Sequence, residues 1–150
     1  AMVRINESGL REVLDHKALN ERVPVLGICL GMQLLTRSSD EGNLPGLGWI
    51  AAETRRFPTI KNLKVPHMGW NLVKPRHTHP LVDGLPADSR FYFVHSYYVT
   101  VDDDADSLLQ AHYGVDFEAA VAHDNILGAQ FHPEKSHKFG MKLLANFARL

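Results

Sequence analysis

The segment Gly27-Ile28-Cys29-Leu30-Gly31 contains the only cysteine of the chain. It stands between the apolar run Val23-Pro24-Val25-Leu26 and the helix-like Met32-Gln33-Leu34-Leu35. That order is the pattern of a nucleophile elbow, a sharp strand-to-helix turn that lifts a reactive atom above a sheet, with glycines where a Cβ would collide. A helix N-terminus aimed at the sulfur would favour thiolate over thiol and leave backbone N–H groups free for an oxyanion. The plainer alternative is a small buried hydrophobe, the usual place of a free cysteine. Glycine on both sides of a strand-to-helix junction favours the nucleophile. A second cluster, Gln130-Phe131-His132-Pro133-Glu134, follows a predicted strand and precedes the last helix. On extended backbone residues two apart share a face, so the Glu134 carboxylate can reach the His132 imidazole. A thiol needs such a base, which takes its proton and returns one to the leaving group, and an acid that holds the base in one tautomer. Taken alone, His-Pro-Glu reads as a turn with a solvated charge. Cys29 reverses that reading, because in a doubly wound sheet the carboxyl ends of distant strands open on one crevice.

The elements that must position these groups follow from periodicity. Val3, Leu10, Val13, Leu14 and Ala18 recur at mostly helical spacing and predict an amphipathic helix over residues 1–20 that covers a sheet. Residues 23–28 are apolar on both faces, as a buried parallel strand is. The stretch from Ser38 to Gly46 is a polar surface loop rich in turn formers. Short strand-like pieces alternate with turns between Trp49 and Val73, and the β-branched and aromatic run Arg90–Val101 predicts one long strand. Within it His95, Ser96 and Tyr97 present three adjacent hydrogen-bonding groups, which suit either core packing or recognition of an amino acid's polar atoms. Residues 108–113, 117–123 and 126–131 predict three further strands, and Phe139, Leu143, Leu144, Phe147 and Leu150 form a helical stripe. Helices at the ends and strands between predict an α/β domain with an open mixed, mainly parallel sheet flanked by helices.

Composition narrows the alternatives. A chain of 150 residues with 45% apolar content suits one domain, and a net charge of −1 gives no footprint for nucleic acid or an anionic membrane. No apolar run approaches a membrane span, and the mixed charges of the first twenty residues do not read as a cleavable signal. A single cysteine cannot form an internal disulfide, so a reducing cytoplasm is the expected compartment. Nine histidines invite a metal reading. His77 and His79 sit in a loop, while His67, His112 and His123 read as polar residues near strand ends, and no zinc spacing occurs. Asp102, Asp103, Asp104 and Asp106 lack the glycine and distal glutamate of an EF-hand and read as a solvated turn. No metal is expected.

Gly-Ile-Cys-Leu-Gly-Met-Gln and Gln-Phe-His-Pro-Glu-Lys-Ser resemble the signatures of class I, or triad-type, glutamine amidotransferases. Over the middle of the chain, Val65-Pro66-His67-Met68-Gly69-Trp70-Asn71 and Tyr92-Phe93-Val94-His95-Ser96-Tyr97 are similar to the glutaminase subunits of imidazole glycerol phosphate synthases, more than to the anthranilate, aminodeoxychorismate, GMP or carbamoyl phosphate branches. The resemblance implies a flavodoxin-like glutaminase fold, Cys29, His132 and Glu134 as the catalytic triad, and no cofactor. It also implies contacts to glutamine from Leu30, Gly31, Gln33, His95, Ser96 and Tyr97. Met68, Trp70 and Tyr92 would face a (β/α)8-barrel cyclase that receives the ammonia through a tunnel. Members of the family begin with a strand-helix unit and a glycine-rich segment that supplies a second oxyanion donor. Neither precedes the elbow here, so the resemblance implies a single glutaminase domain over residues 1–150 that is N-terminally incomplete, poorly stable and nearly inactive by itself.

Overall fold

The structure, a computed structural model, describes all 150 residues. In chain order it runs α1 (Met2–Glu7), α2 (Leu10–Asp15), a π turn (His16–Asn20), β1 (Val25–Ile28), α3 (Leu30–Leu34), β2 (Ser38–Ser39), β3 (Ala52–Arg56), β4 (His67–Leu72) and β5 (Lys74–Pro75). Then come β6 (Arg90–His95), β7 (Tyr97–Val101), β8 (Ser107–Tyr113), β9 (Val115–His123), β10 (Ile126–Ala129) and α4 (His137–Phe147). Eight strands form the main sheet along the order β1-β10-β9-β7-β3-β2, with β8 on β9 and β5 on β8, while β4 and β6 pair in a separate ribbon.

The α/β class and the mixed sheet hold, but the parallel majority does not. Only β1 with β10 and β2 with β3 run parallel, and the remaining pairs are antiparallel. The cause is connection length: one residue joins β8 to β9 and two join β9 to β10, whereas a parallel pair needs a crossover of a dozen residues or more. The long strand expected over residues 90–101 is also corrected. It breaks at Ser96, so that β6 pairs with β4 and β7 with β3 and β9. The helix expected over residues 1–20 breaks at Gly9, whose φ is 73°, and Val3, Leu10 and Val13 stay exposed.

Two apolar cores flank the main sheet. Met2, Ala18, Met32, Ile50 and Ile126 build one, and Leu81, Phe91, Phe93, Phe117, Phe131 and Leu143 the other. Strand β9 shows the alternation that separates them, with Val121 in the first and Ala120 and Ala122 in the second. Phe91 stacks on Phe131 with ring centroids 3.8 Å apart, which ties the ribbon to the segment that carries His132. Each fully buried phenylalanine contributes about 1.5–3 kcal/mol relative to exposure.

Candidate active site

The elbow is built from backbone sterics. Strand β1 ends at Ile28, and Cys29 takes φ 50° and ψ −106°, a strained conformation for a residue with a Cβ. A Cβ on Gly27 would lie 2.6 Å from the carbonyl carbon of Gly31, so only glycine lets the chain fold back on itself there. Gly31 carries no such demand, since a Cβ there would meet nothing within 4 Å. The Cys29 amide donates to Ala129 O at 2.7 Å, fixing the elbow to the end of β10. The expectation of a favoured thiolate needs correction. Burial pushes the half-buried Cys29 thiol up, with Glu134 adding to the rise, against lowering by the Leu30 amide, Gln130 and Lys135. Helix α3 spans five residues, too short to bring the full macrodipole to bear. The Leu30 amide nevertheless stabilises the thiolate form, which is the effect of a backbone donor beside the sulfur.

The His132–Glu134 pair is built from side-chain hydrogen bonds. Glu134 lies in a 3₁₀ turn, Pro133–Lys135, rather than on the extended backbone expected from the sequence, and the turn still brings its Oε1 within 2.7 Å of His132 Nδ1. A carboxylate only accepts, so the proton sits on Nδ1 and the lone pair on Nε2. Nε2 is buried and has no partner. Ser136 clamps the turn: its Oγ donates to His132 O at 2.6 Å and accepts from the Tyr92 amide at 3.0 Å. A Cβ on Gly140 would lie 1.8 Å from Pro133 O, so glycine there lets α4 pack directly under the turn.

Strand β6 brings the halves together. The His132 amide donates to Tyr92 O at 2.9 Å, and the Cys29 thiol donates to Val94 O, two residues along, at 3.9 Å. No hydrogen bond joins the sulfur to the ring in this resting geometry, where the thiol proton points at Val94 O. Gln130, fully buried, donates through Nε2 to the sulfur at 3.8 Å and accepts through Oε1 from Gln33 Nε2 at 3.1 Å. Its role escaped the sequence reading, although a glutamine between an apolar strand and a histidine was the available signal.

The comparisons with known proteins bear on this arrangement. The sequence matches the glutamine amidotransferase class-I family model over residues 6–150. It is 52% identical over 153 residues to the imidazole glycerol phosphate synthase subunit HisH of Bdellovibrio bacteriovorus, covering 100% of this chain and 75% of that protein. It is 53% identical over 149 residues to subunit HisH 2 of the same synthase from Pseudomonas aeruginosa, covering 99% and 74%. A glutamine amidotransferase structure from Thermotoga maritima superposes with a TM-score of 0.63 at 20% identity, covering 96% of this chain and 53% of that one. This chain belongs to the class-I glutamine amidotransferase family.

Among the residues that the family resemblance assigned to glutamine, Leu30 and Gln33 line an open cleft of about 310 Å³ together with Leu34, Glu41 and Leu44. Ser96 Oγ and the Tyr97 hydroxyl make no hydrogen bond within the protein and remain available, and Gly31 leaves open space beside the nucleophile. His95 is different. It is buried, and both its ring nitrogens are taken, Nδ1 at 2.7 Å from Tyr97 O and Nε2 at 2.9 Å from His67 Nδ1, so it stands behind the site rather than in it. His67 opens β4, at a strand end as expected, and it is a buried residue stacked on Phe93 and Tyr113. On the outer face of the ribbon Met68 is 63% exposed and Trp70 46% exposed, and Trp70 packs edge-on against half-buried Tyr92. No helix is long and apolar enough to cross a membrane.

Proposed function

We propose that this chain is the glutaminase component of an imidazole glycerol phosphate synthase, with Cys29, His132 and Glu134 as its triad. The observation that carries the reading is the unpartnered, lone-pair-bearing Nε2 of His132, held by Glu134 at the same sheet end as the strained Cys29. The thiol proton swings from Val94 O to Nε2 as the sulfur attacks the side-chain carbonyl carbon of glutamine. The oxyanion so formed accepts from the Leu30 N–H. As the C–N bond breaks, Nε2–H protonates the departing nitrogen and ammonia leaves a glutamyl thioester. A water then gives its proton to Nε2 and adds to the thioester, the sulfur recovers a proton, and glutamate departs.

Gln33 and the free hydroxyls of Ser96 and Tyr97 supply polar partners for the amino-acid end of the substrate. The identity to the two HisH subunits extends over the whole chain and supports transfer of the ammonia to a cyclase subunit, a (β/α)8 barrel docked on Met68, Trp70 and Tyr92. A compartment that keeps the lone thiol reduced suits this chemistry. Treatment with an electrophilic glutamine analogue followed by mass spectrometry tests the reading. One adduct on Cys29, blocked by glutamine, is the expected result, and modification elsewhere or none at all overturns it.

A further inference from the structure

A chain of buried polar groups leads from the ribbon to the nucleophile, and its directions can be assigned atom by atom. Tyr97 O only accepts, so His95, 2.7 Å away, carries its proton on Nδ1. Its Nε2 then offers a lone pair and must accept from His67 Nδ1–H at 2.9 Å. That leaves the lone pair of His67 on Nε2, facing the Asn71 amide at 3.4 Å, and the same amide nitrogen donates to His112 O at 2.9 Å. From His67 onward both imidazole donors point toward Tyr97 O. The same carbonyl accepts from Gln33 Nε2 at 3.1 Å, whose other proton goes to Gln130 Oε1. With its amide nitrogen held on two acceptors, Gln33 cannot flip, and its Oε1, which has no hydrogen-bond partner within the protein, is committed as an acceptor on a residue that lines the Leu30 cleft.

We propose that His67 and His95 are positioning residues for glutamine: as a one-way imidazole pair they hold Tyr97 O as an acceptor, which orients the Gln33 amide so that its oxygen receives a donor of the substrate. The proposal rests on the glutaminase reading above. Both rings must be neutral for the chain to run, because a second proton on either would set two N–H groups head to head at His95 Nε2 or against the Asn71 amide. Their surroundings enforce neutrality: burial among Phe57, Phe93, Tyr113 and Phe117 pushes each histidine down to about 4. His67 touches neither the sulfur nor the cleft, so its effect on catalysis passes through the pair.

Steady-state glutamine hydrolysis, with the cyclase subunit present, separates this role from a purely structural one. His67→Leu removes the donor to His95, and the expected result is a KM for glutamine raised about tenfold with kcat within about threefold. His67→Asn places an amide N–H where Nδ1 stood, and the KM is expected to return to within about threefold of the parent. If the Leu and Asn variants behave alike, or kcat falls while KM holds, the relay is wrong although the parent enzyme still turns over glutamine. A parent on which the electrophilic glutamine analogue leaves no adduct at Cys29 overturns the glutaminase reading itself, and the relay with it. A measurement on the unaltered protein stands even if His67→Leu fails to fold: ¹⁵N NMR at neutral pH is expected to show both imidazoles protonated on Nδ1 alone. A proton on Nε2 of either ring overturns the proposal.

Discussion

The two halves of the site are held by opposite means. The elbow around Cys29 is fixed by the main chain, through a strained φ, a glycine whose Cβ would strike Gly31, and one amide bond to β10. The turn around His132 is fixed by side chains: Glu134 holds the ring, and Ser136 holds the turn against β6. Main-chain restraint leaves the nucleophile one place to stand, while side-chain restraint leaves the base adjustable. The proposed mechanism, in which the thiol starts on Val94 O and the ring first accepts and then donates a proton, uses that division, because only one of the two partners has to move.

Four perturbations sharpen the comparison. Glu134→Gln frees the ring without touching the elbow. Loss of the tautomer restraint should cut kcat by a factor on the order of 10², short of the largest effects seen for buried triad acids because Glu134 is half exposed. The same change removes a negative charge that pushes the Cys29 thiol up, so alkylation by iodoacetamide should not slow. A parallel loss of alkylation would show that the halves are not separable. Gly27→Ala strikes the elbow instead, and overpacking against the Gly31 backbone should cost about 1–3 kcal/mol, or a melting temperature lower by roughly 2–4 °C per kcal/mol, together with activity. Gly31→Ala, which meets open space, should keep its melting temperature, and equal destabilisation of the two would refute the steric account.

Ser136→Ala deprives a fully buried hydroxyl site of both its hydrogen bonds and should cost about 1–3 kcal/mol in denaturant unfolding, with kcat lowered more than thiol alkylation. A further effect is pH-dependent and lies outside both halves. His67 and His95 are pushed down to about 4 by burial, so in the unfolded chain they take up protons first, as pH falls through about 6.5. Stability from these two groups is therefore complete above about pH 6.5 and is lost toward pH 4, with a slope of up to about 1.4 kcal/mol per pH unit for each histidine. Chemical denaturation at stepped pH checks this, and replacing His67 by Asn should halve the slope.

The elbow was legible because its causes are local: a strand, a glycine, a cysteine and a helix follow one another within a dozen residues, and sterics do the rest. The His132–Glu134 pairing was legible as well, although the backbone that achieves it is a turn rather than a strand, since spacing constrains reach more than conformation. The sheet's antiparallel majority was readable in principle from the one- and two-residue connections around Gly114 and Asp124, but the apolar pattern of each strand is blind to the direction of its neighbour. The break at Ser96 had no local marker. Its residues favour strand throughout, and only the choice of partner, β4 before the break and β3 after it, divides them.

Residue order alone determined the α/β class, the elbow at Cys29, the pairing of His132 with Glu134, and the family. Tertiary structure alone decided that His95 backs the site instead of lining it, that His67 is core, and that Gln130 reaches the sulfur. Covalent neighbours set the reach and strain of a short segment, whereas the partners of His95 Nε2 and of the Gln130 amide are groups 28 and 101 residues away that only packing brings near.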